Sequence, residues 1–245
     1  MPHKLLLNCD LGEGYGSWTM GRDEALMPWL DQASIACGFH ASDPDTMART
    51  IALAKRHQVT IGAHPGYHDK EGFGRRSIPH SPAGITHLVL YQAGALTALA
   101  ELPALDYVKP HGALYNDMMR DEAIFRAVLE ALVRLPGHPR LMLLATPNHS
   151  HYTRLAQQVG VDLLREAFAD RAYLDDGGLV PWQLPGAVLD DVEQIRERVR
   201  HLRDTGEILS VTGKVLKLAP DTLCVHSDHA QAVAIARAAR EALSA

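Results

Sequence analysis

The residues of this 245-residue chain best suited to chemistry are three histidines, each set in a turn of small residues: CGFH ending at His40, GAHPG around His64 and KPHG around His111. Histidine binds metals and titrates near neutral pH, so a repeated turn of this kind points to proton transfer or metal ligation. Carboxylates and cations recur in similar places. Asp10 and Glu13 follow one short apolar run, His40 and Asp43 a second, His64 and Asp69 a third, Lys109 and His111 a fourth. A fifth run ends in the weaker set Thr146, Asn148 and His149, a sixth in Glu166, Asp170 and Arg171, and a last in His226 and Asp228. Clustered titratable groups mark function more often than scatter does. The competing structural readings are specific. Asp10 can cap a loop, the histidines can be satisfied core residues, and Lys109 can pair structurally with Glu166 or Asp170. Asp170 and Arg171 can pair only with each other.

The apolar runs read as strands near 4–8, 33–37, 59–63, 105–109, 140–145, 161–165 and 222–226. Helical spacing follows several of them. Ser42, Asp43 and Pro44 open a helix through Lys55, and Ser81 and Pro82 repeat the device ahead of an amphipathic stretch from Ala83 to Glu101. Asp190 to Arg203 and His229 to Leu243 add two more. Glu207 to Leu218 alternates about Thr212 and Gly213, which predicts a decorating β-hairpin. Strands alternating with helices make a parallel sheet, either closed or doubly wound. Ionisable groups at the carboxyl ends of nearly all the strands favour a closed β/α barrel, whose mouth would gather them. With no linker or repeat in the sequence, residues 1–245 read as one domain.

Composition narrows the function. A net charge of −5 gives no basic field for nucleic acid. The amino terminus has only a four-residue apolar run before Asn8, short of the roughly 7 to 15 residues of a signal peptide, and no stretch reaches a membrane span. A soluble cytoplasmic protein with no nucleic-acid or membrane partner is expected. Three widely spaced cysteines, Cys9, Cys37 and Cys224, fit a reducing compartment and neither a disulfide framework nor a zinc ribbon. Gly213 and Lys214 imitate the end of a P-loop, but Val215 stands where Ser or Thr is needed.

Eight ordered segments carry a closer likeness: NCDLGEGYG from Asn8, IACGFHASDP from Ile35, IGAHPGYHD from Ile61, GFGRR from Gly72, VKPHGALYN from Val108, EAFADRAY from Glu166, DGGLVP from Asp176 and CVHSD from Cys224. Together they resemble the LamB/YcsF family. The resemblance implies a seven-stranded barrel similar to the polysaccharide-deacetylase barrels. It also implies ATP-dependent hydrolysis of 5-oxo-L-proline to L-glutamate, performed with two partner subunits, B and C. The chain departs from the family pattern at Ser42 and Ser227, where glycine is common, at His68, where proline is common, and at Trp182, where arginine is common.

Opening a stable lactam with ATP requires a base for water, an acid for the leaving nitrogen, and cations or Mg²⁺ for phosphate charge. Asp10, His40, His64, Lys109, His111 and Glu166 are the catalytic candidates. Glu13, Arg75, Tyr115, Asn116, Asp170, Arg171, His226 and Asp228 are candidates to bind substrate or nucleotide. Asp10, His40 and His64 resemble in type the Asp/His/His metal set of the deacetylase barrels and suit zinc or another first-row ion. Two other readings stay open: a stand-alone metal-dependent deacetylase or amidohydrolase, and a non-catalytic subunit that presents 5-oxoproline to its partners.

Overall fold

In a computed structural model that describes residues 5–244, seven parallel strands close into a barrel. They are β1 (Leu6–Leu11), β2 (Gln32–Ala36), β3 (Thr60–His64), β4 (Tyr107–Val108), β5 (Arg140–Leu144), β6 (Leu163–Phe168) and, after a separate hairpin of β7 (Glu207–Leu209) and β8 (Val215–Lys217), β9 (Thr222–Val225). β9 pairs with both β6 and β1 and completes the ring. The expected start of the first strand at Lys4 lies outside the described residues.

The helices are α1 (Asp23–Leu26), α2 (Pro44–Arg56), α3 (Pro82–Leu99), α4 (Gly112–Met118), α5 (Glu122–Arg134), α6 (Ser150–Val159), α7 (Val192–Thr205) and α8 (Ala232–Ser244). Local chemistry sets several starts. Asp43 accepts from Thr46 N and Ser81 from Gly84 N, each with proline in the first turn. Asp121 and Asp191 cap α5 and α7, and left-handed Gly160 and Gly206 end α6 and α7. The sequence reading singled out neither α4, α5 nor α6.

Strand alternation sorts the residues between two environments. Leu7, Cys9 and Leu11 face the large apolar cluster shared with the helices, whereas Asn8 and Asp10 face the barrel interior. Inside, Tyr107 packs with Met142 and Leu164 in a separate cluster, and its hydroxyl lies 3.2 Å from Ser34 Oγ on β2. That ring crosses over β3 at Gly62, where a Cβ would stand 2.2 Å from Tyr107 Cζ. Only glycine admits it. The barrel floor is therefore filled by one aromatic ring and a polar set, Asn8, Gln32 and Thr222, joined by hydrogen bonds of 2.8–2.9 Å.

The hairpin forms as expected, with Gly213 in the left-handed region of its turn. Gly213 and Lys214 lead into a strand rather than a helix, and Lys214 Nζ donates to the Asp175 carbonyl, which is not P-loop geometry. Among the described residues no helix is long and apolar enough to cross a membrane.

Candidate functional site

At the carboxyl-end mouth lies a cavity of about 410 Å³. Its wall includes Asp10, Glu13, His64, Lys109, His111, Arg75, Tyr115, Asn116, Arg171, His226 and Asp228. Three further candidates sit one layer behind that wall. His40 lies beneath His111, Glu166 is buried beyond Lys109, and Asp170 stands behind His226.

Lys109 is the centre of a buried charge triad. It leaves β4 pointing across the barrel, so that Nζ reaches Asp10 Oδ1 on β1 at 2.8 Å and Glu166 Oε2 on β6 at 2.7 Å. Asn8 Oδ1 at 3.5 Å and Cys224 Sγ at 3.4 Å complete its surroundings. Burial opposes the ammonium charge, but Asp10 leads the carboxylates that outweigh it and hold Lys109 well above the usual lysine range. Burial likewise opposes ionisation of Asp10, and the neighbouring His64 and Lys109 overcome it, holding that carboxyl well below its usual range. The expected pairing of Lys109 with Glu166 is present; its other partner is Asp10, not Asp170. Lys109, a candidate cation, is thus engaged by both carboxylates. Tyr115, on α4, donates from its hydroxyl to Glu166 Oε1 at 3.0 Å.

The three histidines meet at one point. His64 Nδ1 donates to the Lys109 carbonyl at 2.7 Å and its Nε2 lies 3.3 Å from Asp10 Oδ2. His111 Nε2 donates to the Phe73 carbonyl at 2.8 Å, and its Nδ1 is 2.9 Å from His64 Nε2. His40 stacks on His111, with centroids 3.7 Å apart and planes 3° from parallel. Its Nε2 lies 3.3 Å from Glu13 Oε1. Burial, reinforced by neighbouring imidazoles, pushes His40 and His111 well below the usual histidine range. Burial, reinforced by Asp10, pushes Glu13 well above the usual glutamate range.

Glycines make this convergence possible. The GFGRR loop folds its backbone directly over the rings, and a Cβ on Gly74 would stand 2.6 Å from His40 Cβ and 2.8 Å from His111 Cδ2. The turn after β3 is pinned from outside: Gln92 on α3 accepts from Gly66 N at 3.1 Å and donates to Gly66 O at 2.9 Å.

On the opposite wall, Asp170 accepts from His226 Nδ1 at 2.9 Å and from its backbone N at 2.8 Å. Burial opposes a charge on His226, and Asp170 outweighs it, raising that imidazole above its usual range. Asp170 therefore pairs with histidine and not with Arg171, contrary to one structural expectation. Arg171 instead donates to the carbonyls of Val180 at 2.7 Å and Ala187 at 3.2 Å, shaping the 179–187 loop. Trp182 stacks between Arg75 and Arg171, whose guanidinium carbons lie 4.2 and 4.5 Å from its ring. Arg75 also pairs with Asp228 at 3.0 Å.

Some strand-end residues do not join the cavity. Asp43 caps α2, Asp69 holds Arg76 and Gly72 N, and His149 turns back to the Thr146 carbonyl. Conversely Asn8, Phe73, Arg120, Phe168, Trp182 and Cys224 belong to the site or its wall and were not singled out as site residues. Asn8 and Phe168 carried a usable signal, each two residues from a flagged carboxylate and so on the same strand face. The cysteines are free and buried, and burial pushes the Cys9 and Cys37 thiols up, Cys37 to about 12.

Comparison with known proteins agrees with this architecture. The LamB/YcsF family model matches residues 5–245. A protein of Vibrio vulnificus (strain CMCP6), named as the A subunit of 5-oxoprolinase, is 51% identical over 243 residues, covering 98% of each chain. One of Pseudomonas putida (strain KT2440), named as a second A subunit of 5-oxoprolinase, is 49% identical over 242 residues, covering 98% of this chain and 94% of its own. Among solved structures, the lactam utilization protein of Thermus thermophilus is 40% identical with a TM-score of 0.88, covering 98% of this chain and 96% of that one. With a family match and identities of this order across nearly the whole length, the chain belongs to the LamB/YcsF family.

Proposed function

We propose that this chain is the A subunit of a 5-oxoprolinase, which opens the lactam of 5-oxo-L-proline to L-glutamate in a cytoplasmic complex with subunits B and C while ATP goes to ADP and phosphate. The observation that carries the reading is the mouth itself. An ionised carboxylate, Asp10, and an imidazole of raised basicity, His226, share one small cavity in a chain about half identical to proteins named for this activity. Environments that push titratable groups apart identify acid and base.

Phosphorylation of the amide oxygen by ATP turns the lactam into an imidate-like electrophile. Asp10 takes a proton from water as it adds to the ring carbon. His226, charged and held by Asp170 at Nδ1, gives a proton from Nε2 to the ring nitrogen as it leaves; release of phosphate then consumes a second water. Arg75 and Arg120 line the cavity as cations for the substrate carboxylate or the phosphoryl group. Lys109 keeps Asp10 ionised, Glu166 holds Lys109, and Tyr115 holds Glu166. The nucleotide, with its Mg²⁺, binds at a site shared with or supplied by the partner subunits.

The test is ATP-dependent glutamate release from 5-oxo-L-proline, measured with the chain alone and with both partners. Turnover only in the full assembly supports the reading. Robust turnover by the pure chain without ATP supports instead a stand-alone amidohydrolase.

A further inference from the structure

The substrate of the proposed reaction is an anion, because its lactam nitrogen is not basic and its carboxylate is ionised at neutral pH. A cavity with Asp10, Glu13 and Asp228 in its wall repels such an anion unless it also presents a cation without an internal partner. The cations of the wall differ in how far they are committed. Lys109 is engaged by Asp10 at 2.8 Å and Glu166 at 2.7 Å. Arg75 pairs with Asp228 at 3.0 Å and lies over the Trp182 ring. Arg171 has no ion pair among the described residues, but its Nε and Nη2 donate to the Ala187 and Val180 carbonyls and Trp182 covers its face.

Arg120 differs from all of these. It follows α4 directly and is exposed, and among the described residues no carboxylate, carbonyl or aromatic ring engages its guanidinium. Asn116, one turn earlier, is also exposed, and its side-chain amide makes no hydrogen bond to the described residues. Both residues line the cavity.

The place of Arg120 in the ring decides which anion it meets. In the order of the barrel, β4 lies three strands from β1 in one direction and three from β9 in the other, so α4 stands across the mouth from Asp10 and His226. With the lactam carbonyl carbon at Asp10, the carboxylate hangs from the ring carbon on the far side of the nitrogen. It therefore projects away from Asp10, toward the side of the mouth that α4 forms. A phosphoryl group on the amide oxygen stays beside the reacting carbon, on the side where Arg75 meets Asp228. We propose that Arg120 determines substrate specificity by binding the carboxylate of 5-oxo-L-proline, its planar fork matching the two oxygens. Asn116 adds an amide donor from the preceding turn, and Arg171 adds positive potential to the same cavity. The inference rests on the lactam reading and deepens it by separating carboxylate recognition from phosphoryl handling.

The experiment uses the complex reassembled with subunits B and C, with glutamate release measured against 5-oxo-L-proline and against ATP. The uncharged carboxamide of the substrate, 5-oxo-L-prolinamide, serves as a competing ligand. In the wild-type complex its inhibition constant should lie about ten- to a hundredfold above the KM for the acid, the range for losing a hydrogen bond between charged groups. Arg120→Gln should raise the KM for 5-oxo-L-proline by a similar factor with kcat unchanged, the signature of lost ground-state binding. The inhibition constant of the carboxamide and the KM for ATP should not move, and Arg120→Lys should recover part of the loss. Since the side chain is exposed and unpaired, its replacement removes no internal contact and the fold should not register it. A wild-type KM for 5-oxo-L-proline in the Arg120→Gln complex overturns the assignment and leaves the lactam reading in place. A rise in the KM for ATP instead overturns it too, by giving Arg120 to the phosphates. Absence of glutamate release by the wild-type complex is the separate failure of the lactam reading, and the assignment falls with it.

Discussion

Ser42 carries a physical cost in its backbone conformation. It is fully buried with φ at 73°, in the left-handed region where a Cβ crowds the backbone. The Cβ penalty there is about 1–2 kcal/mol, and the extra freedom of an unfolded glycine returns about 0.5–1 kcal/mol of it. Ser42→Gly should therefore stabilise the fold by up to ~1 kcal/mol, read as a higher urea midpoint at unchanged slope; a lower midpoint would show that the serine hydroxyl matters more than the backbone. Lys109 lies at the other extreme. Lys109→Ala leaves Asp10 and Glu166 buried without their cation, and breaking a buried pair in this way costs ~3–5 kcal/mol. Because the orphaned carboxylates must ionise as pH rises, the deficit should grow from acid to neutral pH, and urea melts at pH 5 and pH 8 measure it. An equal deficit at both values would mean that the side chain mattered for packing and not for charge.

The pairing of Asp170 with His226 gives a pH-dependent counterpart. The groups facing His226 are Asp170, then Asp10 and Asp228, all raising its basicity against the burial that lowers it. An imidazole held above its usual value stabilises the fold most fully below pH ~6.5, and that contribution is lost as pH rises through the raised folded value. If His226 is the acid, turnover of the complex falls over the same rising window. Asp170→Asn should move that alkaline limb to lower pH; a limb that stays in place would remove His226 from the acid role.

Elements, more than residues, decided what could be read in advance. Short apolar runs bounded by polar turns made the seven barrel strands legible, and proline after Ser81 or Asp43 made two helix starts legible. The short β4 was expected from 105 to 109 but is a regular strand only at Tyr107 and Val108, with single backbone bonds on either side, Arg140 N to the Asp106 carbonyl at 3.1 Å and Lys109 N to the Ala63 carbonyl at 2.8 Å. What composition and spacing could not convey is which atom meets which across the ring. Glu13 lies beside His40 only because the glycine-rich loop after β1 returns over the mouth, and Gln92 pins Gly66 from a helix read only as amphipathic. Gly62 shows the same limit: nothing local announces that Tyr107 crosses it. Gly62→Ala should destabilise by at least ~1–3 kcal/mol through overpacking, and Tyr107→Leu in the same chain should recover part of that loss in a double-mutant cycle. Additive losses would place the clash elsewhere.

At the scale of the molecule, the barrel concentrates chemistry at one end and leaves the other to stability. His57, at the carboxyl end of α2, and His201, in α7, are exposed and outside the cavity lining, so His57→Ala and His201→Ala should each change stability by no more than ~0.5 kcal/mol and leave turnover intact. The central claim is that the lactam opens at the mouth, and Asp10→Asn tests it most directly. In the complex reassembled with subunits B and C, glutamate release from 5-oxo-L-proline with ATP should fall at least about a hundredfold, the lower end for removing a positioned base, while the assembly elutes at the wild-type size. Glutamate release at the wild-type rate by an intact complex carrying Asp10→Asn would contradict it.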